Sequence, residues 1–188
     1  DLDVLQNHLH LPVQSGNDSV LNTMRRDHTI AEYLELLTEL KSEVPDIALS
    51  TDIIVGFPGE TDAAFEDTLT IMEKVGYSSS YMFAYSPRPG TPANDLPDSV
   101  PEEVKKQRLQ KTIAMQSQIS QQQGQVYIGE KVAVLIEGRS SKPGYAFKGR
   151  NPQYWNVNIQ GSDLKTGDTV TVEIEQVSGH SLNGKALL

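Results

Sequence analysis

The segment Ile47–Thr61, with the sequence IALSTDIIVGFPGET, decides the fold of the first half of the chain. A short run rich in β-branched residues follows Pro45 and ends at the turn Gly56–Gly59, which is typical of a buried strand. Thr61 can then cap a helix through its hydroxyl. The segment therefore predicts a strand over residues 47–55 followed directly by a helix.

Strand-like and helix-like stretches alternate on both sides of this segment. Thr29 and Glu32 form a capping box that begins a helix, and Gly76 is placed to end the helix that starts at Thr61. The order β-α-α-β-α-β, with connections of crossover length, predicts an α/β fold with parallel strands and helices on one side. Three strands are too few for a closed barrel, so we expect part of one. The predicted elements are strands over 8–13, 47–55 and 80–85, and helices that begin at Asn17 or Asp18, Thr29 and Thr61.

A Pro-rich stretch over residues 87–101 separates this pattern from a polar helix. Ser99 and Glu102 form a second capping box, and the helix is predicted to run to about Gln123. The Gln/Ser-rich run 116–125 predicts a linker, and we therefore expect domains over residues 1–123 and 124–188.

The sequence pattern of the second domain is typical of a small antiparallel β-barrel of the OB-like kind. Short strand-like runs recur at spacings of about ten residues, with turn signals between them. The predicted strands are Lys131–Glu137, Tyr145–Lys148, Trp155–Ile159, Thr169–Gln176 and Gly184–Leu188.

Composition excludes several classes of protein. The 188 residues are 37% hydrophobic and 22% charged, without an apolar run long enough for a membrane helix or a secretory signal, so we expect a cytoplasmic protein without a membrane partner. The absence of cysteine excludes disulfides, thiol catalysis and cysteine-held zinc or iron–sulfur sites in this chain.

The charge is unevenly divided. The net charge of −9, taken whole, argues against a nucleic-acid binder. Residues 1–125, however, hold 9 Lys/Arg against 19 Asp/Glu, whereas residues 126–188 hold 7 against 6. An acidic segment is therefore joined to a near-neutral one.

Several residues of the first half could carry chemistry. The amides of Gly56–Gly59 could receive an anion or the edge of a flat ligand, although a tight turn is the reading that composition favours. Asp52 is a costly residue in an apolar strand unless it is paired or faces a wet lumen. Gln14 and Ser15 could bind hydroxyl groups, and Arg88 is held between two prolines on a stiff loop. No metal site is predicted, because His8 and His10 lack a third ligand at a suitable spacing.

In the second half, cations and aromatic residues are interleaved. Cations can bind phosphates, and aromatic faces can stack on unpaired bases, which is what recognition of single-stranded RNA needs. The alternative is that the aromatic residues fill the core of a small barrel and the cations are solvated at its rim. The residues concerned are Arg139, Lys142, Lys148 and Arg150, with Tyr145, Phe147, Tyr154 and Trp155.

Taken together, these segments resemble the methylthiotransferases of the radical S-adenosylmethionine (SAM) superfamily. The resemblance rests on five motifs in the order and spacing of that family, namely residues 8–16 (HLHLPVQSG), 24–29 (MRRDHT), 51–61 (TDIIVGFPGET), 85–93 (YSPRPGTPA) and 100–105 (VPEEVK). Among the branches, the sequence is most similar to the MiaB type, which methylthiolates N6-isopentenyladenosine beside the tRNA anticodon. The branches that act on threonylcarbamoyladenosine or on a ribosomal-protein aspartate stay open, as does a non-catalytic RNA-binding adaptor.

The resemblance implies that the chain is a fragment. Family members use SAM and two 4Fe-4S clusters, and the cysteines that hold both clusters are absent from this chain. The fragment would correspond to the last three barrel strands and a TRAM domain, with the missing N-terminal part of the same protein as a partner. Alone, it should be inactive.

The resemblance also implies roles for individual residues, none of them catalytic. Gln14 and Ser15 would lie near the ribose or methionine of SAM, the backbone of Val55 and Gly56 near the adenine, and Tyr85 and Ser86 on the far side, with Asp52 in the lumen. Arg88 would contact a phosphate of the target nucleotide. In the TRAM domain, contacts to the tRNA anticodon stem-loop would come from Arg139, Lys142, Lys148 and Arg150, with Tyr145, Phe147 or Trp155 as stacking candidates.

Overall fold

The structure, a computed structural model, describes residues 6–97 and 99–187. Its elements are β1 (His8–His10), α1 (Asp18–Thr23), α2 (Ile30–Glu43), β2 (Ala48–Val55), α3 (Asp62–Val75), β3 (Ser79–Ala84), a 3₁₀ turn (Pro92–Asp95), α4 (Glu102–Gln125), β4 (Lys131–Arg139), β5 (Phe147–Arg150), β6 (Asn156–Gln160), β7 (Thr169–Ser178) and β8 (Ser181–Leu187). Residues 1–5 of the predicted first domain and Leu188 of the predicted last strand lie outside the described residues.

The chain forms two compact units. A sheet unit consists of residues 10–45 and 49–116, and a barrel unit gathers residues 46–48 and 117–188 with the segment that ends at Leu9. The predicted boundary between residues 123 and 124 remains a prediction.

The sheet unit is built on three parallel strands in the order β1-β2-β3. β2 and β3 pair in parallel from Ser50 opposite Ser79 to Val55 opposite Ala84. Along the other side of β2, the Leu11 N–H donates to the Ser50 carbonyl. The predicted parallel α/β arrangement is thereby confirmed.

The two faces of this sheet differ. On β2, Leu49, Ile53 and Val55 are buried and form part of the core, whereas Asp52 and Ile54 are partly exposed. On β3, Tyr81 and Phe83 stand in register with Asp52 and Ile54 and are 61% and 52% exposed. One face is therefore packed, and the other carries polar and aromatic side chains that are open to solvent.

The helix ends follow the sequence signals. The Thr29 hydroxyl accepts the Glu32 N–H, and the Glu32 carboxylate accepts the Thr29 N–H, so the predicted capping box at the start of α2 is confirmed. Thr61 caps α3 by accepting the Ala64 N–H, and Gly76 ends that helix with φ of +68°. Glycine adopts this left-handed backbone conformation without a steric penalty.

The first strand is shorter than predicted. β1 ends at His10 rather than at residue 13. Pro12 has no N–H to donate, and the Val13 N–H donates to the Thr51 hydroxyl instead of a backbone carbonyl. Regular pairing with β2 therefore stops, and Gln14 rejoins it only as an isolated parallel bridge to Ile53.

The predicted second capping box is wrong. α4 begins at Glu102, so its first turn directly follows Pro101 rather than Ser99. The Ser99 hydroxyl accepts the N–H of Gly59 and so binds the turn after β2.

α4 runs without a break to Gln125, so the helix predicted to about Gln123 is confirmed and the linker predicted over residues 116–125 is wrong. Gln116 is fully buried, where its amide donates to the Tyr77 carbonyl and accepts from the Ser80 hydroxyl. A buried amide with both partners in place stabilises a helix that composition alone would leave unassigned.

The barrel unit contains a closed five-stranded barrel in the order β4-β5-β6-β8-β7. Four of its neighbouring pairs are antiparallel, but β6 and β8 pair in parallel, from Asn156 opposite Ser181 to Gln160 opposite Lys185. The prediction of a wholly antiparallel barrel is wrong at this pair, because β8 returns antiparallel to β7 and is inserted between β7 and β6. Its core contains Val134, Ile136, Phe147, Trp155, Val157, Ile159, Leu164, Val172, Ile174, Leu182 and Ala186.

A helix capable of crossing a membrane was not found in the part of the chain that the structure describes.

Candidate functional site

A cleft of about 620 Å³ opens in the sheet unit, where the carboxyl ends of the three parallel strands meet. We call it the ligand cleft. Ligands of α/β proteins bind at such strand ends, and the volume falls in the range of small-molecule sites. The lining residues are Gln14, Thr23, Met24, Arg25, Arg26, Asp52, Ile54, Phe57, Phe83, Ala84, Tyr85, Ser86, Arg88, Thr91, Pro92, Ala93 and Leu96.

Five of the predicted site residues come together in this cleft. They are Gln14, Asp52, Tyr85, Ser86 and Arg88. They are drawn from segments far apart in the sequence, and the parallel order of the strands is what places them at one rim.

Gln14 occupies an unusual position in the cleft wall. Its backbone has φ of +68°, a left-handed conformation that costs a residue with a β-carbon about 1 kcal/mol or more. The conformation is held by backbone hydrogen bonds to the Asp52 carbonyl and from the Ile54 N–H. The residue is only 7% exposed, and within residues 6–97 and 99–187 its side-chain amide has no protein hydrogen-bond partner. An amide that lines a cleft without a protein partner is what a polar ligand group would satisfy.

Two aromatic rings form the inner wall. Phe57 and Tyr85 are buried and meet edge to face, with 5.0 Å between their ring centroids. The Tyr85 hydroxyl donates to the Ala93 carbonyl at 2.8 Å, and the Lys105 Nζ lies 5.4 Å from the centre of its ring. The Tyr85 ring is therefore held in place, and the two rings together give the cleft an apolar inner wall.

Asp52 is both paired and open to the cleft. Its Oδ1 lies 3.4 Å from Nε2 of His10, whose Nδ1 is in turn 2.9 Å from the Ser50 hydroxyl. The side chains of Asp52 and His10 are 30% and 39% exposed. This arrangement satisfies the two conditions under which a carboxylate in an apolar strand is tolerated.

Three predicted cofactor residues do not line the cleft. Ser15 is fully buried, and its hydroxyl lies 3.5 Å from that of Thr68 in α3. The Val55 carbonyl accepts the Tyr85 N–H, and the Gly56 N–H donates to the Glu60 carboxylate at 2.6 Å. Because these polar groups are already engaged within the protein, we do not carry their binding roles forward.

The turn after β2 is held by a buried ion pair that sequence reasoning missed. The Glu60 carboxylate accepts from Arg108 of α4 at 2.7 Å as well as from Gly56. Burial raises the pKa of Glu60 above its usual value, and the hydrogen bonds from Gly56 and Arg108 only partly offset this effect. The amides of this turn therefore donate to groups of the protein itself, and the alternative that they bind an anion is not supported. Arg108 carried no signal in the sequence, because cations on a polar helix are ordinarily solvated.

In the barrel unit, two of the predicted stacking residues are part of the core. Phe147 and Trp155 are 4% and 5% exposed and pack among the barrel's apolar side chains. Their predicted role as stacking surfaces for bases is wrong, because strand alternation turns Phe147 inward while its neighbour Lys148 is exposed. Of the predicted aromatic residues, Tyr145 stays partly exposed.

The cations of the barrel have different partners. Lys142 donates to the Asn183 side chain at 2.7 Å, and the Arg139 guanidinium lies over the Phe147 ring at 4.4 Å. Arg150 pairs with Glu137 at 3.1 Å and lies 3.9 Å from the centre of the Tyr154 ring. We call the outer face that carries Arg139, Lys142, Lys148 and Arg150 the basic barrel surface.

Tyr154 is an aromatic residue of this unit that the predicted site left out. It is 46% exposed, has φ of +66°, and stacks on His8 with 4.8 Å between ring centroids. Its place beside a cluster of cations was visible in the sequence, but its exposure depends on the left-handed backbone, which the sequence does not indicate.

Comparison with known proteins gives two family matches. The model of the radical SAM superfamily matches residues 2–72, and that of the TRAM domain matches residues 125–187.

Several curated proteins are similar to nearly the whole chain. The tRNA-2-methylthio-N(6)-dimethylallyladenosine synthase of Acetivibrio thermocellus is 44% identical over 98% of this chain and 38% of its own length. The synthase of the same name from Oceanobacillus iheyensis is 46% identical over 96% of this chain and 35% of its own length. The synthase of Agrobacterium fabrum is 44% identical over 97% of this chain and 40% of its own length. The chain thus spans about two fifths of the length of the curated relatives it matches.

Among solved structures, Escherichia coli coproporphyrinogen III oxidase, described as a radical SAM enzyme, is 17% identical with a TM-score of 0.49. The match covers 90% of this chain and 41% of that one.

The confirmed parallel sheet, the closed barrel and the two family matches agree with the resemblance of the five motifs. Together with 44–46% identity over nearly its whole length, they show that the chain belongs to the radical SAM methylthiotransferase family.

Proposed function

We propose that the ligand cleft binds SAM and that the whole protein adds a methylthio group to N6-dimethylallyladenosine in tRNA. The observation that carries the proposal is the side-chain amide of Gln14, which lines the cleft at the carboxyl ends of three parallel strands without a partner among the described residues. The relatives' name supplies the reaction, and their similarity to this chain extends over both units.

The cleft suits SAM chemically. The Gln14 amide can hydrogen-bond ribose hydroxyls, and Phe57 and Tyr85 offer a surface for the purine. SAM carries a sulfonium and an ammonium group, and the Asp52 carboxylate is an acidic group in the lining. When bound in enzymes of this superfamily, SAM supplies the 5′-deoxyadenosyl group for hydrogen abstraction. The residues of this chain would bind and orient it and keep water from its purine.

The iron–sulfur clusters do not fit this chain, because it contains no cysteine to hold them. We therefore assign cluster ligands to a further part of the same protein. The open face of the sheet, with exposed Tyr81 and Phe83, and the greater length of the relatives support this assignment.

We assign RNA binding to the basic barrel surface. Within the described residues, Lys142 and Lys148 have no carboxylate partner, and the match to the TRAM domain covers them both. Phosphates of the anticodon stem-loop would bind these cations, and the partly exposed ring of Tyr145 offers a surface to unpaired bases. An enzyme that modifies tRNA would work in the cytoplasm.

SAM binding can be tested with Gln14→Asn. Asparagine tolerates the left-handed backbone but has a shorter side chain, so the protein should stay as stable while the amide no longer reaches the ligand. We expect ligand-observed NMR to show SAM bound to the wild-type chain, and at least roughly fivefold weaker binding to the variant, the loss of one hydrogen bond. The exposed Gln118→Asn is the control. Wild-type protein that does not bind SAM, or equal binding by all three proteins, would contradict the assignment.

RNA binding can be tested with a tRNA anticodon stem-loop. The affinity of the protein for this RNA should fall as the salt concentration rises. Lys148→Ala should weaken binding and should lower the slope of log affinity against log salt concentration by about one. Arg150→Ala should have a smaller effect, because Arg150 is already paired with Glu137. Lys165→Ala, in a loop of the same unit, should change nothing beyond the general loss of charge. Tight RNA binding without any SAM binding would favour the RNA-binding adaptor instead.

A further inference from the structure

The lining of the ligand cleft includes three arginines, Arg25, Arg26 and Arg88, all of them exposed. Arg25 and Arg26 follow α1, and Arg88 lies in the loop that follows β3. They are therefore contributed by the segments that come after the two outer strands of the sheet.

None of these arginines is neutralised within the protein. Ion pairs and side-chain hydrogen bonds are absent for all three within residues 6–97 and 99–187. Carboxylates are near in the sequence and in the cleft, at Asp27 and Asp52, but neither lies within ion-pair distance of an arginine.

Their gathering runs against the charge of the surrounding segment. Residues 10–97 contain five Lys/Arg and fourteen Asp/Glu, and three of those five cations line the cleft. An acidic segment repels polyanions, so a polyanion can approach it only where cations are concentrated.

Arg25 is held in a backbone conformation that does not suit it. It follows α1 with φ of +57°, and this turn is fixed by hydrogen bonds from the Arg25 N–H to Asn22 and from the Arg26 N–H to Leu21. Glycine or asparagine is the residue that favours this position after a helix. An arginine here lowers stability by about 1 kcal/mol, which points to a use for its side chain.

We infer that Arg25, Arg26 and Arg88 form a phosphate-binding rim that holds the sugar-phosphate backbone on either side of a base inserted into the cleft. The ligand class is a single-stranded segment of RNA. Phe83 is 52% exposed in the lining and suits the flat face of a base beside the SAM site, and the rim suits the phosphates that adjoin that base. The inference rests on the proposed function, since it assumes that the target of the cleft belongs to an RNA.

The test compares two RNA hairpins on the 188-residue chain. One is an unmodified anticodon stem-loop, and in the other the phosphates that flank the target adenosine are replaced by uncharged methylphosphonates. We expect the neutral linkages to weaken wild-type binding roughly threefold to tenfold, as the loss of exposed phosphate contacts would.

The variants are Arg25→Asn, Arg26→Gln and Arg88→Gln. The control is Lys74→Gln, which removes one positive charge from an exposed residue of α3 that does not line the cleft. Each arginine variant should bind the unmodified hairpin more weakly, and the neutral linkages should matter less to it than to the wild type. Arg25→Asn should also raise the free energy of unfolding while it weakens binding, which general damage to the fold would not do.

Other outcomes overturn the inference. If the hairpin binds through Lys148 but is indifferent to the arginine variants, the rim is wrong and the proposed function stands. If the variants lose affinity equally for both hairpins, the arginines do not contact those phosphates. If they weaken SAM binding alone, they serve the carboxylate of SAM. If they weaken binding of an acidic peptide but not of RNA, the target is a protein. A chain that binds no hairpin overturns both proposals.

Discussion

Gly56 and Gly59 occupy the same turn and have similar backbone angles, with φ of +73° and +83°. Their surroundings differ. A β-carbon on Gly56 would lie 2.4 Å from Cγ of Lys105, in the middle of a fully buried side chain, whereas nothing lies within 4 Å of one on Gly59. Gly56 is thus required by packing as well as by backbone conformation.

This difference predicts unequal effects of alanine. Gly59→Ala should lower the free energy of unfolding by about 1 kcal/mol, the cost of a β-carbon in the left-handed region. Gly56→Ala should cost about 2 kcal/mol more, because the buried stem of Lys105 has to move. Chemical denaturation of both variants measures the difference. Equal losses would mean that the contact with Lys105 does not constrain the turn.

At the same scale, the site could be predicted only in part. The residue types of the strand ends identified Gln14, Asp52, Tyr85, Ser86 and Arg88, which do line one cleft. Sequence does not indicate which hydrogen bonds a backbone group has already made, so Gly56 looked free. Nor does it give the direction of a side chain at the end of a short strand, so Phe147 and Trp155 looked available to a ligand although they fill the core.

Among the elements, α4 is the one that joins the turn after β2 to the rest of the sheet unit. Its Arg108 contacts Glu60 at 2.7 Å and Asp62 at 2.7 Å, and Lys105 packs beneath Gly56. Atoms Oε1 of Glu60 and Nε of Arg108 are buried without a hydrogen-bond partner. The ion pair is therefore incompletely satisfied, which is consistent with the raised pKa of Glu60.

A pH dependence follows from this pKa. The folded protein holds the Glu60 proton more tightly than the unfolded chain does. The contribution of protonated Glu60 to stability is therefore complete below the pKa that Glu60 has in the unfolded chain. It is lost as the pH rises through the higher pKa that Glu60 has in the folded protein. We expect the free energy of unfolding of the wild type, relative to Glu60→Gln, to fall as the pH rises above about 4, the ordinary pKa of a glutamate carboxyl.

Denaturation of both proteins across this pH range measures the effect. Glu66→Gln, at an exposed position of α3, should not change the pH dependence of the free energy of unfolding. A relative stability that rises with pH would show that the attraction of Arg108 outweighs burial.

Elements that depend on local signals were predictable. Thr29, Thr61 and Gly76 set the ends of α2 and α3 through bonds within a few residues, and those bonds are present. The last half of α4 was predicted as helix to about Gln123, but its Gln-rich sequence does not indicate what stabilises it. Its stability comes from distant partners, as Gln116 with Tyr77 and Ser80 shows, and composition does not contain them.

For the molecule as a whole, the absence of cysteine is decisive. Members of the radical SAM superfamily cleave SAM at an iron–sulfur cluster held by cysteine thiolates. This chain matches the superfamily over residues 2–72 but contains no cysteine. This chain therefore has no thiolate with which to hold such a cluster.

We expect the purified chain to form no 5′-deoxyadenosine from SAM, even after reconstitution with iron and sulfide under reducing conditions. Chromatography of the reaction mixture measures the product, and a cysteine-containing full-length relative treated in the same way is the positive control. Product formed by the 188-residue chain above the background of the reagents would contradict the view that it depends on another part of the protein.

The position of β8 in the barrel has a consequence for synthesis on the ribosome. β8 is inserted between β6 and β7, although it follows both of them in the chain. Until residues 181–187 have left the exit tunnel, β6 and β7 each keep an unpaired edge, and the ring stays open. The outer face of β6 can therefore acquire its finished shape only at the end of translation of this unit.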